Sequence, residues 1–541
     1  METIDWWLRP LAWLFERRPD WRDSFGRLLL RIGNNFYIAL ALVLAVAGAW
    51  DQFVSPLDKQ FSNASFDWLM RHRPIAYRAD PDIVILDIDE ASLAELGKEY
   101  GRWPWPRRVL AEVAAKAESA GARAILFDIS FADKDVTNLP SELAFDQYVA
   151  GSRNSFFVAS RLNPKNDNQS DVTLSMLNFA GHDPQTPPRK VDGQRTIALL
   201  PPYFKSIYDS TRTGTNNINP DSDNIVRWYR NYETLAGYRI PSVPYRMAQE
   251  LGWPLATEPR SLINWPMGVT PYATISFKDA YQAASRQDAG FFAALRGKVL
   301  LIGATAPGLN DIKATPVDHA HPGIDVLATA IDNTKNGRFL VPLHPAWIWG
   351  LELIMLAAAA RLFSRRTERA TALAKYLVII PTVLVGISLL SVSVSRLLID
   401  LSVPAAVVFG YFSFAMIFDN NRRAFASGTG PFAATPREVG AGQLQVACLP
   451  ASLPEDDIHA MLMKPGCPIK LWTPQKAGLG KHWNGQGWVV WRWFARGSGA
   501  AEDFGLQWRD VPTNASFSLA HTISAAAQVQ VGPTTDVKER G

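Results

Sequence analysis

At 541 residues the chain is too long for one ordinary domain, so several units are expected. A formal charge of +4, with 48% apolar and 20% charged residues, gives no reason to expect a nucleic-acid partner, and two cysteines, Cys448 and Cys467, cannot build a disulfide framework. The average hides strong segregation: apolar blocks alternate with polar regions, and many of the 19 tryptophans flank the apolar blocks, as aromatics at a membrane interface do.

Residues 1–31 read as a cytoplasmic amphipathic arm. Trp6, Trp7, Trp13 and Trp21 are interspersed with arginines there, a pattern suited to lying along a membrane surface, although a plain topogenic tail has the same composition. Residues 32–54 follow as a first membrane span, uncharged from Ile32 to Trp50 and long enough for one helical crossing. The apolar run is longer than that of a signal peptide, which favours an uncleaved anchor.

Residues 55–345 are predicted to form an α/β domain with a mainly parallel sheet outside the cytoplasm. Residues 82–89 and 122–131 are apolar enough for strands buried on both faces, and 106–122 has proline at its start, helical apolar spacing and glycine near its end. This strand–helix–strand unit predicts two parallel neighbours. Further strands are expected at 155–160 and 297–305, while 161–225, rich in Pro, Asn, Asp and Gln, reads as loops.

Asp87, Asp89 and Asp128 then fall at the carboxyl edge of the sheet, where open α/β folds bind ligands. The D-x-D pair in VILDIDE resembles the start of a haloacid-dehalogenase-type phosphatase site, in which one aspartate attacks phosphorus and the other handles protons. Glu90 and Ala91 stand where a small residue and a hydroxyl normally follow, so structural roles are favoured, with Asp89 capping the helix begun by ASLAEL.

Three more apolar blocks are expected to cross the membrane, at 346–363, 376–395 and 398–418. Arginines precede the first span, lie between the second and third (Arg365, Arg366, Arg369, with Lys375), and follow the fourth (Arg422, Arg423). All fall on one side only with four spans and with both ends of the chain cytoplasmic, the orientation the positive-inside rule selects. Residues 419–443 read as a linker, and 444–541 as a small β-rich cytoplasmic domain. Trp483, Trp488, Trp491, Trp493 and Trp508 form either its aromatic core, the favoured reading, or a partner-binding patch.

Seven segments occur in a telling order: FDWLMRHRP (66–74), IVILDIDEASL (83–93), GRWPWPRRVLAEV (101–113), GARAILFDISFAD (121–133), DSDNIVRWYR (221–230), GKVLLIGATAPGLNDIKATP (297–316) and HPGIDVLATAIDN (321–333). Together with one span before and three after, they resemble the type-2 CHASE domain, a cyclase/histidine-kinase-associated sensory extracellular module of bacterial membrane receptors. The resemblance implies an input module in the bacterial inner membrane, facing the periplasm, for a cue that the class does not define. Positions matching the family are Asp89, Trp103, Pro104, Trp105, Arg107, Asp128, Asp311 and Pro322–Gly323. The ligand-contact candidates are Asp87, Asp89, Trp103, Trp105, Arg107, Asp128 and Asp311. For Arg107 and Arg108, pairing with Asp89 or Asp128 is favoured over holding an anionic ligand. Dimerisation is expected from receptors of this layout.

His319 and His321, with Asp311 and Asp318 nearby, have a spacing that could hold a metal, but a proline-containing surface loop explains them better. No metal, cofactor or catalytic residue is expected. The tail carries no Gly-rich phosphate loop and no kinase or cyclase signature, so the leading reading is a sensor that relays its signal to a cytoplasmic signalling protein. The alternative is an unrecognised catalytic domain in the tail, or phosphatase chemistry at the outer carboxylates.

Overall fold

The computed structural model describes residues 19–53, 59–268, 271–306, 309, 311–365, 373–427, 437–439, 442–450, 486–495 and 501–509. They form two compact units: Ala49–Leu351 with Ile380–Ala406, and Met1–Gly48 with Glu352–Ile379 and Val407–Gly541. In chain order the elements used below begin with α1 (Pro19–Ile32), α2 (Asn35–Phe53), α3 (Lys59–His72), β1 (Ile83–Asp87), α4 (Glu90–Tyr100), α5 (Arg108–Ser119), β2 (Ala124–Phe127), α6 (Leu139–Gly151), β3 (Ser155–Arg161) and β4 (Thr213–Thr215). They continue with α7 (Val243–Leu251), β5 (Ala273–Ser276), α8 (Phe277–Ser285), β6 (Val299–Gly303), α9 (Gly323–Asn336), α10 (Pro345–Arg365), α11 (Ala374–Val394) and α12 (Ser402–Ser427). Four strands close the series: β7 (Arg437–Val439), β8 (Gly442–Pro450), β9 (Gln486–Ala495) and β10 (Ala501–Arg509).

In the first unit a parallel sheet runs β5-β1-β6-β2-β3-β4, and Leu199–Leu200 adds an antiparallel stretch to the end of β3. Period-2 alternation divides its side chains between two cores. Ile83, Ile85, Leu126 and Leu301 face α3, α7 and α9, whereas Val84, Leu86, Phe127 and Ile302 face α4, α5, α6 and α8. Each such side chain, fully removed from water, contributes about 1.5–3 kcal/mol. The expected strand–helix–strand unit exists, but β1 and β2 are not neighbours. β6 lies between them, with Leu300 opposite Val84 on one side and Ile125 on the other. All five residues of β6 are buried, and a strand apolar on both faces finds such burial only inside a sheet.

Residues 161–225 are not simply the loops that their composition predicts. They hold short strands and 3₁₀ turns around a small core of their own, with Leu174, Phe179 and Ile197 almost wholly buried. Arg161 anchors this region by bonding Asp167 at 2.8 Å and Glu233 at 3.2 Å.

The main core also receives Val392 of α11 and Leu398 of the following turn. There, Val341–Pro342 pairs in parallel with Leu397–Leu398, and Arg396 donates to the Gly337 carbonyl at 3.1 Å. Hence the fourth apolar helix starts at Ser402 rather than at 398. Leu398 is used in the strand pair, and Asp400 accepts the Ser402 amide at 3.0 Å.

Among the described residues, three helices are long and apolar enough to cross a membrane: Pro345–Arg365, Lys375–Val394 and Ser402–Ala426. A fourth results if the segments Ser24–Ile32 and Asn35–Trp50, bent by 81° at the intervening Gly33–Asn34, count as one span. The second unit ties this corner down. Tyr37 donates to Asp419 at 3.2 Å, and Asp419 also receives Arg423 at 2.8 Å. A Cβ at Gly48 of α2 would collide with the fully buried Glu352 carboxylate of α10. α12 continues to Ser427, so helix occupies the first part of the segment read as a linker, and β7 lies within that segment too. β7-β8-β9-β10 form an antiparallel sheet, with Leu444 opposite Trp493 and Gly487 opposite Trp508. Trp483 lies outside the described residues.

Candidate functional site at the carboxyl edge of the sheet

Three of the sequence-predicted residues, Asp87, Asp128 and Asp311, meet at this edge. Asp87 ends β1 and accepts the Thr305 amide at 2.9 Å and its hydroxyl at 2.5 Å, which closes the turn after β6. Asp128 follows β2 and accepts Asn216 Nδ2 at 2.9 Å. Asp311 lies in the loop before α9 and pairs with Lys313 at 2.8 Å. Its backbone carbonyl accepts the Gly323 amide at 2.8 Å, and a Cβ at Gly323 would collide with its carboxylate. Glycine at the start of α9 therefore leaves room for the Asp311 carboxylate to sit there. Asp325, one turn into α9 and 3% exposed, completes the group.

Burial dominates the electrostatics here. It pushes the Asp325 carboxyl up to about 7, helped by the charge on Asp87. It pushes Asp128 up to about 6, with Asp311 adding to the rise and Lys313 opposing it. Burial also raises Asp87 despite its two bonds from Thr305. Asp89 behaves differently. Burial acts to raise it, but hydrogen bonds from Ser92 and Ser276 outweigh that and hold it below the usual carboxylate range. It is the N-cap of α4, accepting the Ser92 amide at 2.7 Å, the role its position in ASLAEL suggested.

The Trp-Pro-Trp-Pro-Arg segment serves packing. Trp105 is 2% exposed and stacks on Phe277 with ring centroids 6.1 Å apart, and Trp103 meets Trp105 edge-on at 4.9 Å. Arg107 pairs with neither Asp89 nor Asp128. Its guanidinium bonds both carboxylate oxygens of Glu142 at 2.9 Å and lies over the Phe204 ring at 5.0 Å. α6 carries the buried Glu142 against the start of α5, while Asp89 is already engaged as a cap. Arg108 pairs with neither aspartate; its guanidinium lies over the Tyr100 ring at 6.0 Å.

His319 and His321 do not share a site. His319 is exposed, whereas His321 is buried and bonds Thr315 Oγ1 at 3.1 Å. Among the described residues no group of three or more His, Cys, Asp or Glu is arranged to hold a metal ion.

Asp325, Thr305, Asn216 and Lys313 went unmarked in the sequence. Asp325 had a usable signal, an acid one turn into an otherwise apolar helix in HPGIDVLATAIDN. Asn216 had none, because β4 brings it to Asp128 from a segment without periodicity.

Other family-like segments prove to be framework. Arg227 binds Asp67 and is joined by Asp221 and Asp223. Arg73 donates to Asn264 Oδ1 at 2.7 Å, and the fully buried Asn333 accepts the Asn264 amide at 2.8 Å.

With the fold and edge in place, comparison with known families matches the CHASE2 domain to residues 38–362, more than half of the chain. The chain belongs to this family of sensory extracellular domains, and its role is in general that of a sensor associated with a membrane. Neither the curated proteins nor the solved structures compared gave a match.

Proposed function

We propose that the protein is a transmembrane receptor of the bacterial inner membrane. Its α/β domain faces the periplasm, four helices cross the bilayer, and both ends of the chain are cytoplasmic. The acidic carboxyl edge receives the cue, and the tail passes the signal to a cytoplasmic signalling partner without an enzymatic output of its own. Of the edge carboxylates Asp311 is exposed and pairs with Lys313, whereas Asp87 and Asp325 are buried; this acidic character suits a cationic or hydroxyl-rich cue rather than an anion. Arg107, once the candidate for an anionic ligand, is already neutralised by Glu142.

The observation that carries this reading is the attachment of the edge loop to α3. The loop holding Asp311 is bound by Arg71, which donates to the Pro316 carbonyl at 2.8 Å. A bridge between Ile225 and Ala314 leads from the same loop to Arg227, and Arg227 grips Asp67 on α3. α3 follows α2 after only a few residues. In this reading a shift of the loop on binding is passed through these bonds to α3, and along the chain toward the first apolar helix.

Photocrosslinking in cells from the tail tests the relay. A captured signalling protein whose yield changes in Arg71→Ala is the expected result. Finding no partner, while the purified full chain cyclises or phosphorylates nucleotide, overturns it. A reporter enzyme fused near Glu250 tests the orientation and must be active only outside the cytosol.

A further inference from the structure

We propose that the groove between α2 and α10 binds an anionic phospholipid. This rests on the membrane placement given above and adds a ligand to it. The groove has a volume of about 440 Å³. Ile38, Ala41 and Ala45 of α2 line one wall, and Leu353 and Ala357 of α10 line the other. Alanines on both walls keep open a space that larger side chains would fill.

One end of the groove has a different chemistry. Arg361, Ser364 and Arg365 line it. Both arginines are exposed, and neither has a carboxylate partner among the described residues. The Ser364 hydroxyl has no hydrogen-bond partner among the described residues. Nearby cations differ in this respect, since Arg422 and Arg423 both bond Asp419. Positive charge that no carboxylate among the described residues neutralises therefore gathers at the mouth of an apolar channel. A phospholipid has the matching layout, with an acyl chain for the walls and a phosphate for two guanidinium groups and a hydroxyl. In the proposed orientation this end faces the cytoplasm, the side on which basic pockets between membrane helices meet anionic headgroups.

The test uses the full chain in phosphatidylcholine nanodiscs carrying a trace of photoactivatable phosphatidylglycerol or photoactivatable phosphatidylcholine, with labelled peptides mapped. Phosphatidylglycerol should label 38–45 and 353–365 at least about fivefold more strongly, the usual gain from one basic side chain at an anionic surface. Arg361→Gln with Arg365→Gln should remove that preference, and Ala357→Trp, which fills the groove, should remove labelling by both lipids. Equal labelling by the two lipids overturns the proposal, as does a preference that survives loss of both arginines. Competition by inorganic phosphate would point to a soluble anion and also overturn it. So would crosslinks between copies of the chain from a photoreactive residue at position 41, without lipid labelling. Protease protection of α10 in the same nanodiscs separates a failure of lipid selectivity from a failure of the membrane placement.

Discussion

Arg227 and Asp67 form a two-point ion pair, with both contacts at 2.7 Å and both side chains almost entirely buried, between positions 160 residues apart. The pair joins two of the segments that carry the family resemblance, so their co-occurrence has a physical cause. Asp221 and Asp223 supply further oxygens to the same guanidinium. Asp67→Asn leaves a buried cation short of its principal counter-charge and should cost about 3–5 kcal/mol. Chemical denaturation of the full chain measures this, with Asp223→Asn, at a more exposed carboxylate, as the milder comparison.

Gly323→Ala should dislodge Asp311 while preserving α9. The added methyl collides with the Asp311 carboxylate, yet alanine suits the helix itself. Any cue that binds the acidic edge should then lose affinity by about tenfold or more, equivalent to about 1.4 kcal/mol. Stability should change far less than for Asp67→Asn. Calorimetric titration and a melting curve on the same sample separate the two effects.

The edge should make stability depend on pH. Asp325 and Asp128 have carboxyls raised to about 7 and about 6 in the folded protein. From about pH 4 upward the unfolded chain releases protons that the folded chain retains, so stability falls as pH rises toward 7. Buried His321 acts in the opposite sense below its ordinary 6.5, because it stays neutral in the fold while the unfolded chain protonates. The difference between wild type and Asp325→Asn isolates the carboxylate. At pH 8 the variant should gain on the order of 1–3 kcal/mol relative to wild type, and at pH 4 the gain should vanish. Parallel stability curves from pH 4 to 8 would refute this.

Arg107→Lys should weaken packing rather than sensing. Lysine's single nitrogen cannot serve Glu142 and the Asp133 carbonyl together, as Nη1 and Nη2 of Arg107 do, or lie flat over Phe204. A loss of about 1–3 kcal/mol is expected from disturbing a charged, part-buried hydrogen bond. Cue affinity should stay within about twofold, a change well below the 1.4 kcal/mol of a tenfold effect.

Gly48→Leu should disrupt the contact between α2 and α10. Even a Cβ at this position meets the Glu352 carboxylate, and a leucine brings three more carbons. The expected result is reduced yield of folded protein from membranes, restored in part by Glu352→Ala, which vacates the space. Fluorescence size-exclusion profiles of the variants report it.

Composition and short-range pattern by themselves determined the apolar blocks, the mixed domain between them and the strand identities of β1, β2, β3 and β6. Burial on both faces of a strand, or around a helix in lipid, leaves a continuous apolar run that one segment can show alone. The cap at Asp89 was likewise legible, because a cap acts within one turn. Tertiary structure decided what depends on distant partners. It inserted β6 between β1 and β2, gave Arg107 to Glu142, and brought Asn216 to Asp128. It also carried Leu398 out of the fourth helix into a strand pair with Pro342. Each of these outcomes depends on which segment across the fold offers a matching charge or an unfilled sheet edge. That information lies in pairs of positions far apart in the chain, and no local periodicity encodes it.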